Sequence, residues 1–339
     1  MRSGLLAGGN WIRDHVKTVD AWPAQDSLAN ILGSADSNGG GPYNVLKDLA
    51  RLGAPFPLAG IGLVGDDADG RAILDDCRES GIDASRLRAA KGLRTSYTDV
   101  IAVQGSARRT FFHARGANAG LGPEHFDFTG VNARIFYLGY LLLLDRLDSP
   151  GADGAPEALG VLRRARDAGM VTALDCVSAS AVHFKATVAP VLPAVDVLFA
   201  NDYEAEQITG VGVGRGAALD RRAVEAAARA LVGLGVRRWA VIHFPEGACA
   251  LSGAGELVWQ PAVRLAPSLI AGTVGAGDAL AAGVLLGLHE GWAMERSLEL
   301  GACAAAASLM EPTCSGGVLS SAQCLSLGKK MGFAGLVPR

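Results

Sequence analysis

The chain reads as an α/β protein with a mainly parallel central sheet and a small accessory β-sheet. Short apolar runs alternate with longer amphipathic stretches through most of its length, which is the pattern of βαβ units. Two segments, at about 10–38 and 95–118, break that rhythm with interleaved polar and apolar residues. The chain has 339 residues, of which 50% are hydrophobic and 19% charged, so it has the apolar content for a large core.

Strands are expected at 4–8, 57–64, 135–139, 171–175, 195–200 and 238–243. Helices are expected at 42–52, 67–80, 156–168, 203–209, 221–234, 278–289 and 295–309. Leu46, Leu49 and Ala50 recur at helical spacing, with Gly53 as the stop; Gly81 plays the same part after 67–80. The segment 10–38 carries WIRDHVKTVDAWPAQD. The segment 95–118 reads as a hairpin: TSYTDVIAV, a QGSARR turn, then TFFHA. Alternation in these strands implies a sheet with one exposed or partner-covered face. Such a sheet is either a lid over a cleft or a pair of ordinary surface hairpins. Phe111 and Phe112 are adjacent, so one strand turns them to opposite sides.

Composition excludes several classes. The net charge of −3 and the lack of a long Lys/Arg run argue against nucleic-acid binding. The greasiest run, 135–144, suits a buried strand and is too short to span a bilayer, so no membrane partner is expected. The opening MRSGLLAGGNW does not read as a secretory signal. Six cysteines, at 77, 176, 249, 303, 314 and 324, form no CxxC, which suits reduced thiols in a cytoplasmic protein. The six histidines are scattered, without HExxH, and read as core or surface residues. The ending GLVPR resembles the remnant of a cleaved purification tag, so 336–339 carry no functional weight.

The strongest chemical signal is GTVGAGDALAAG at 272–283. A glycine-rich turn runs into an apolar helix expected to begin near Asp278. Unpaired amides at a helix start, together with the helix dipole, make a phosphate site. Asp278 at its mouth would repel a phosphate, unless it accepts the proton of a hydroxyl that attacks phosphorus. The plainer reading is an N-cap Asp after a tight turn. The segment is neither a Walker A loop nor GxGxxG after a first strand.

Several motifs in order resemble the PfkB/ribokinase family of carbohydrate kinases. GTVGAGD is similar to the family signature DTxGAGD. GGGPYNVLKDLARLG at 39–53 matches its Gly-Gly and Asn at Gly40, Gly41 and Asn44. Asn201-Asp202-Tyr203-Glu204 matches N-x-x-E, Asp14 an early Asp, and Gly65, Asp67 and Gly70 a G-x-D-x-x-G segment. Together these span roughly 4–317.

The resemblance implies a ribokinase-like α/β kinase domain over 1–335, with lid segments at about 10–38 and 95–118. It implies transfer of the γ-phosphoryl of ATP to a hydroxyl, taken to be a primary one, of a small carbohydrate. Asp278 would be the general base, and the amides of Gly275, Ala276 and Gly277 the anion hole. Asp14, Gly40, Gly41 and Asn44 would bind substrate hydroxyls, and Phe112, Arg115 and Asn118 would join them from the lid. Thr273, Gly275, Gly277, Asn201 and Glu204 would serve the nucleotide, with Glu204 holding Mg²⁺ through water. Asn201 and Glu204 also fit a helix capping box, and both readings can hold. Arg115 reads equally as an anion partner or an exposed strand charge. Asp175, at a strand end, is a further residue that could orient a neighbour. A homodimer through the lid is expected.

The chain departs from the pattern at Gly272, which replaces the first Asp of DTxGAGD and puts potassium activation in doubt. Ile242 and Phe244 occupy the Thr and Gly places of the strand before the nucleotide loop, so an altered ATP pose or another donor stays open. Two other functions remain. One is a nucleoside kinase, with Tyr43, Tyr97, Phe112 and Trp11 as base-stacking candidates. The other is a sugar-binding regulatory protein that has lost phosphotransfer.

Overall fold

A computed structural model describes residues 2–105, 109–178, 183–311, 313 and 315–335. Part of the expected QGSARR turn, Cys314 and the tag-like 336–339 lie outside the described residues. The strands are β1 (Leu5–Gly9), β2 (Ile12–Val19), β3 (Ile31–Gly39), β4 (Leu58–Gly65), β5 (Ile82–Ala90), β6 (Ser96–Val103), β7 (Arg109–Ala114), β8 (Ile135–Leu141), β9 (Val171–Cys176), β10 (Val197–Asn201), β11 (Trp239–Phe244), β12 (Gly247–Ser252) and β13 (Leu257–Pro261). The helices are α1 (Gly41–Leu52), α2 (Ala68–Glu79), α3 (Asp145–Asp148), α4 (Ala158–Asp167), α5 (Phe184–Val188), α6 (Asp202–Thr209), α7 (Arg221–Gly233), α8 (Ala276–His289), α9 (Met294–Leu309) and α10 (Ser321–Met331).

Nine strands form the main sheet in the order β13-β12-β11-β10-β9-β8-β1-β4-β5. All neighbours pair parallel except β11 with β12 and β12 with β13. The central strands are apolar on both faces because both are covered. In β8, Phe136 and Leu138 enter one core while Ile135 and Tyr137 enter the other. Helix α1 is capped at its start by Gly40, whose φ of 92° favours glycine, and at its end by left-handed Gly53.

The two irregular segments combine into a second sheet, ordered β3-β2-β6-β7. Strands β2 and β6 pair parallel, and the two outer pairs are antiparallel. This sheet is joined to the body at its root. The Asn118 amide donates to the Trp11 carbonyl at 3.1 Å and accepts from the Trp11 N–H at 3.4 Å. Asp67 caps α2 through the Gly70 N–H at 2.9 Å and accepts from the Thr95 N–H at 2.8 Å. The G-x-D-x-x-G segment thus ties a body helix to the start of the hairpin.

Five cysteines, at 77, 176, 249, 303 and 324, are buried and free. Among the described residues, no helix is long and apolar enough to cross a membrane.

Candidate functional site

The site gathers at the carboxyl ends of the parallel strands, where α/β folds leave a crevice. Its centre is the start of α8. Gly275 takes a left-handed φ of 85° and caps the helix, which begins at Ala276, two residues earlier than the sequence indicates. Ala276, Gly277 and Asp278 are the first three helical residues, where amides have no acceptor within the helix. Asp278 is therefore not the N-cap. Its carboxylate instead accepts side-chain hydrogen bonds, from Asn44 Nδ2 to Oδ2 at 2.9 Å and from the Tyr140 hydroxyl at 2.7 Å. Burial pushes its pKa up to about 6, with the Tyr140 and Asn44 hydrogen bonds pulling the other way.

Asn44 stands on the first turn of α1, directly after the Gly40-Gly41 pair. A Cβ at Gly40 would lie 2.1 Å from the Asn10 carbonyl, and one at Gly41 would lie 3.0 Å from the Tyr140 ring. Both glycines are there because other groups fill that space. Asn44 Oδ1 has no partner among the described residues. Asp14 lies on β2 beside Gly39, which has no room for a side chain against the Asp14 carboxylate.

Across the small sheet, Ser37, Asp14, Thr98 and His113 are register partners and share one face. Phe112 pairs with Asp99 and faces the other way, 54% exposed and stacked on Trp22. The structure does not bring Phe112 to Asp14; Phe111 shares the Asp14 face. Arg115 lies 3.1 Å from Asp145 and lines a side cavity with Leu142, Asp148 and His183. Asn118 is fully buried, with both ends of its amide committed to Trp11. Arg115 and Asn118 thus stand apart from the Asp278 cluster in their hydrogen bonding.

On the other side of α8 lies a cavity of about 490 Å³. Asn201, Tyr203, His243, Phe244, Thr273 and Gly277 are among its lining residues. Ile242 is fully buried and is not among them, whereas Phe244 reaches the cavity and also contacts Trp259, ring centres 6.2 Å apart. A Cβ at Gly277 would lie 3.1 Å from the His243 ring, so the imidazole lies close against the helix start. Burial pulls the His243 pKa down to about 4, leaving it neutral at neutral pH.

Asn201 and Glu204 form a complete capping box on α6. Asn201 Oδ1 accepts from the Glu204 N–H at 2.8 Å, and Glu204 Oε2 accepts from the Asn201 N–H at 2.9 Å. Ser178 donates to Glu204 Oε1 at 2.8 Å. Burial raises the Glu204 pKa to about 7, with Asp202 and Asp278 adding to it. Asp175 is also held well above the usual carboxylate range by burial and by Glu204 and Asp278. Each of these acids holds its proton more tightly than a free carboxyl, and a cation brought beside them would favour the ionised forms. Among the described residues no three His, Cys, Asp or Glu side chains are grouped as a metal cage. That combination fits a divalent cation held mainly by phosphates and water.

Sequence reasoning missed Tyr140 and His243. Neither belongs to a motif; the one signal for both is a polar ring at the carboxyl end of a parallel strand.

The body-and-lid arrangement is the ribokinase-like fold. Arabidopsis thaliana ribokinase, solved with ribose and ATP, matches with a TM-score of 0.80 at 19% identity, covering 98% of this chain and 100% of that one. Thermotoga maritima ribokinase matches at 0.79 and 18%, covering 96% and 99%. At these identities the likeness shows the fold alone. The chain belongs to the pfkB family of carbohydrate kinases: the profile described as pfkB family carbohydrate kinase matches residues 9–320. Fructokinase-2 of Solanum lycopersicum is 27% identical over 61% of this chain and 62% of its own length. An ATP-dependent ribose-1-phosphate kinase of Halopiger xanaduensis is 28% identical over 59% and 62%. The matched region is thus under two thirds of either relative. A 5-dehydro-2-deoxygluconokinase of Clostridium perfringens is 24% identical over 82% of this chain and 79% of its own length.

Proposed function

We propose that this chain is a carbohydrate kinase, transferring the γ-phosphoryl of ATP to a hydroxyl, taken to be a primary one, of a small sugar. The carrying observation is the buried Asp278 carboxylate in the first turn of α8, beside unpaired amides and held by Asn44 and Tyr140. A carboxylate next to an anion site suits proton removal from an attacking hydroxyl. Asp278 is the base, and the amides of Gly275, Ala276 and Gly277 stabilise the charge on the transferring group. Asp14, Gly40, Gly41 and Asn44 hold the sugar, and the free acceptor Asn44 Oδ1 supports that role. Arg115, Asn118 and Phe112 shape the lid and its root, with Phe112 on the outer face.

Asn201 and Thr273 border the nucleotide, and Glu204, tied to Asn201 in the capping box, would orient water toward Mg²⁺. When bound, Mg²⁺ supplies charge neutralisation for the phosphates. The kinase domain is the span 1–335, with the small sheet closing over the site to exclude water. The five buried thiols support a reducing, cytoplasmic setting.

The test is ADP formation with Mg·ATP over pentoses, hexoses, keto-deoxy acids and nucleosides, with wild type and Asp278→Ala. A sugar-dependent signal lowered by about 10²–10⁴-fold in Asp278→Ala supports the proposal. Turnover with nucleosides alone moves the substrate class. No turnover with any acceptor, alongside stabilisation by sugar and none by ATP, sinks the kinase and favours a sugar-binding regulator.

A further inference from the structure

The Tyr140 hydroxyl lies 2.7 Å from both Oδ1 and Oδ2 of Asp278. Asn44 donates to Oδ2 alone. Tyr140 sits at the carboxyl end of β8, and its own seat is well defined. Its backbone N–H donates to Asn10 Oδ1, and its ring edge lies where a side chain at Gly41 would be, 3.0 Å from the Cβ position. A phenol has one proton to give, so it serves one carboxylate oxygen at a time. Asn44 is fixed on Oδ2, which leaves Oδ1 as the oxygen to receive a hydroxyl.

We propose that Tyr140 is a positioning residue for the base: with Asn44 it clamps the Asp278 carboxylate so that Oδ1 meets the acceptor hydroxyl. This rests on the kinase reading and deepens it. When the acceptor arrives, its hydroxyl donates to Oδ1 and the phenol moves wholly to Oδ2. The acceptor oxygen then bonds to the γ-phosphorus, and the bond to the bridging oxygen breaks with its electron pair leaving on ADP. The acceptor proton passes to Oδ1. The glycine pair is part of the same device, because the ring lies where a Gly41 side chain would stand.

The test is Tyr140→Phe, which keeps the ring and removes one hydroxyl. The other titratable groups around Asp278 stay in place: Asp48 from α1, Tyr137 from β8, Asp175 from β9 and Glu204 from α6. Hydrogen-bond donors favour the ionised carboxylate, so losing one raises the pH at which the base forms. In wild type the acid limb of turnover is expected near pH 6. In Tyr140→Phe it moves upward by about half a unit or more, and kcat at pH 7 falls about tenfold with little change in acceptor KM, mostly through lost alignment of the carboxylate, since such a shift alone removes little of the ionised base. A ¹³C NMR titration of the Asp278 carboxyl, assigned with Asp278→Asn, shifts the same way without any substrate. An unmoved limb and titration overturn the proposal, as does an unchanged kcat with a lower KM, which would make the phenol a mere obstruction. If wild type forms no sugar-dependent ADP, the kinase reading fails instead, and the titration alone decides whether Tyr140 holds the carboxylate.

Discussion

Asp48 is fully buried on α1, and neither of its carboxyl oxygens has a partner among the described residues. Burial and the nearby Asp278 hold its pKa well above the usual carboxylate range. The folded state therefore binds this proton more tightly than the unfolded chain. No cost arises below the unfolded value near 4, and the cost grows as pH rises toward the folded value. Asp48→Ala is expected to stabilise the protein by about 1–3 kcal/mol at pH 8 and by less at pH 5. Thermal unfolding at the two pH values checks this, and a loss of stability at pH 8 would show that Asp48 is satisfied in solution. The sequence made Asp278, Asn44 and the glycine pair visible because each sits in a spaced motif. Tyr140 was invisible because a lone tyrosine at a strand end has no pattern to mark it. Alternation told that Phe111 and Phe112 diverge, but only the register with Asp14 told which shares its face, and both rings stay half-exposed.

Helices α8 and α9 approach through glycine. A Cβ at Gly283 would lie 2.7 Å from the Gly301 Cα, which is backbone and cannot swing away. Gly283 lies seven residues after Ala276, about 10 Å along the axis. Gly283→Ala is expected to cost about 1–3 kcal/mol by overpacking and to weaken stabilisation by Mg·ATP, because the strain tilts the amides at the helix start. Thermal shift with and without nucleotide separates the two effects; stability unchanged in both would mean that the helices part freely. The helices α1 and α2 were legible, since α1 carries Leu46, Leu49 and Ala50 at helical spacing before Gly53 and α2 is followed by Gly81. Strands β5, β12 and β13 and helix α10 were not among the expected elements. Strand β5 is a sheet edge with mixed, half-polar residues, and β12 is built from small ones, so neither gives a clear apolar run.

Trp22, Ile31, Leu32 and Phe112 on the small sheet and its connections are 51–60% exposed, with Trp22 and Phe112 stacked on the face away from Asp14. Burying such a surface against a second copy is the simplest way to protect it. A homodimer is expected by light scattering, and Phe112→Glu together with Trp22→Glu should yield monomer. A wild-type monomer at working concentration would remove the idea. The order of βαβ units carried the main sheet from sequence to structure, because period and connection length determine most of that topology. The small sheet was legible as one accessory sheet drawn from two segments, but its strand order was not, since the parallel pairing of β2 with β6 is a contact between distant parts of the chain. That pairing has a consequence for inheritance. The accessory sheet is written in two separated stretches of the gene, and no single exchange can transplant it without the body elements α1 to β5 that lie between them. A relative's lid could be adopted only if both stretches were swapped together and in register. Either half alone would leave β2 or β6 without its central neighbour.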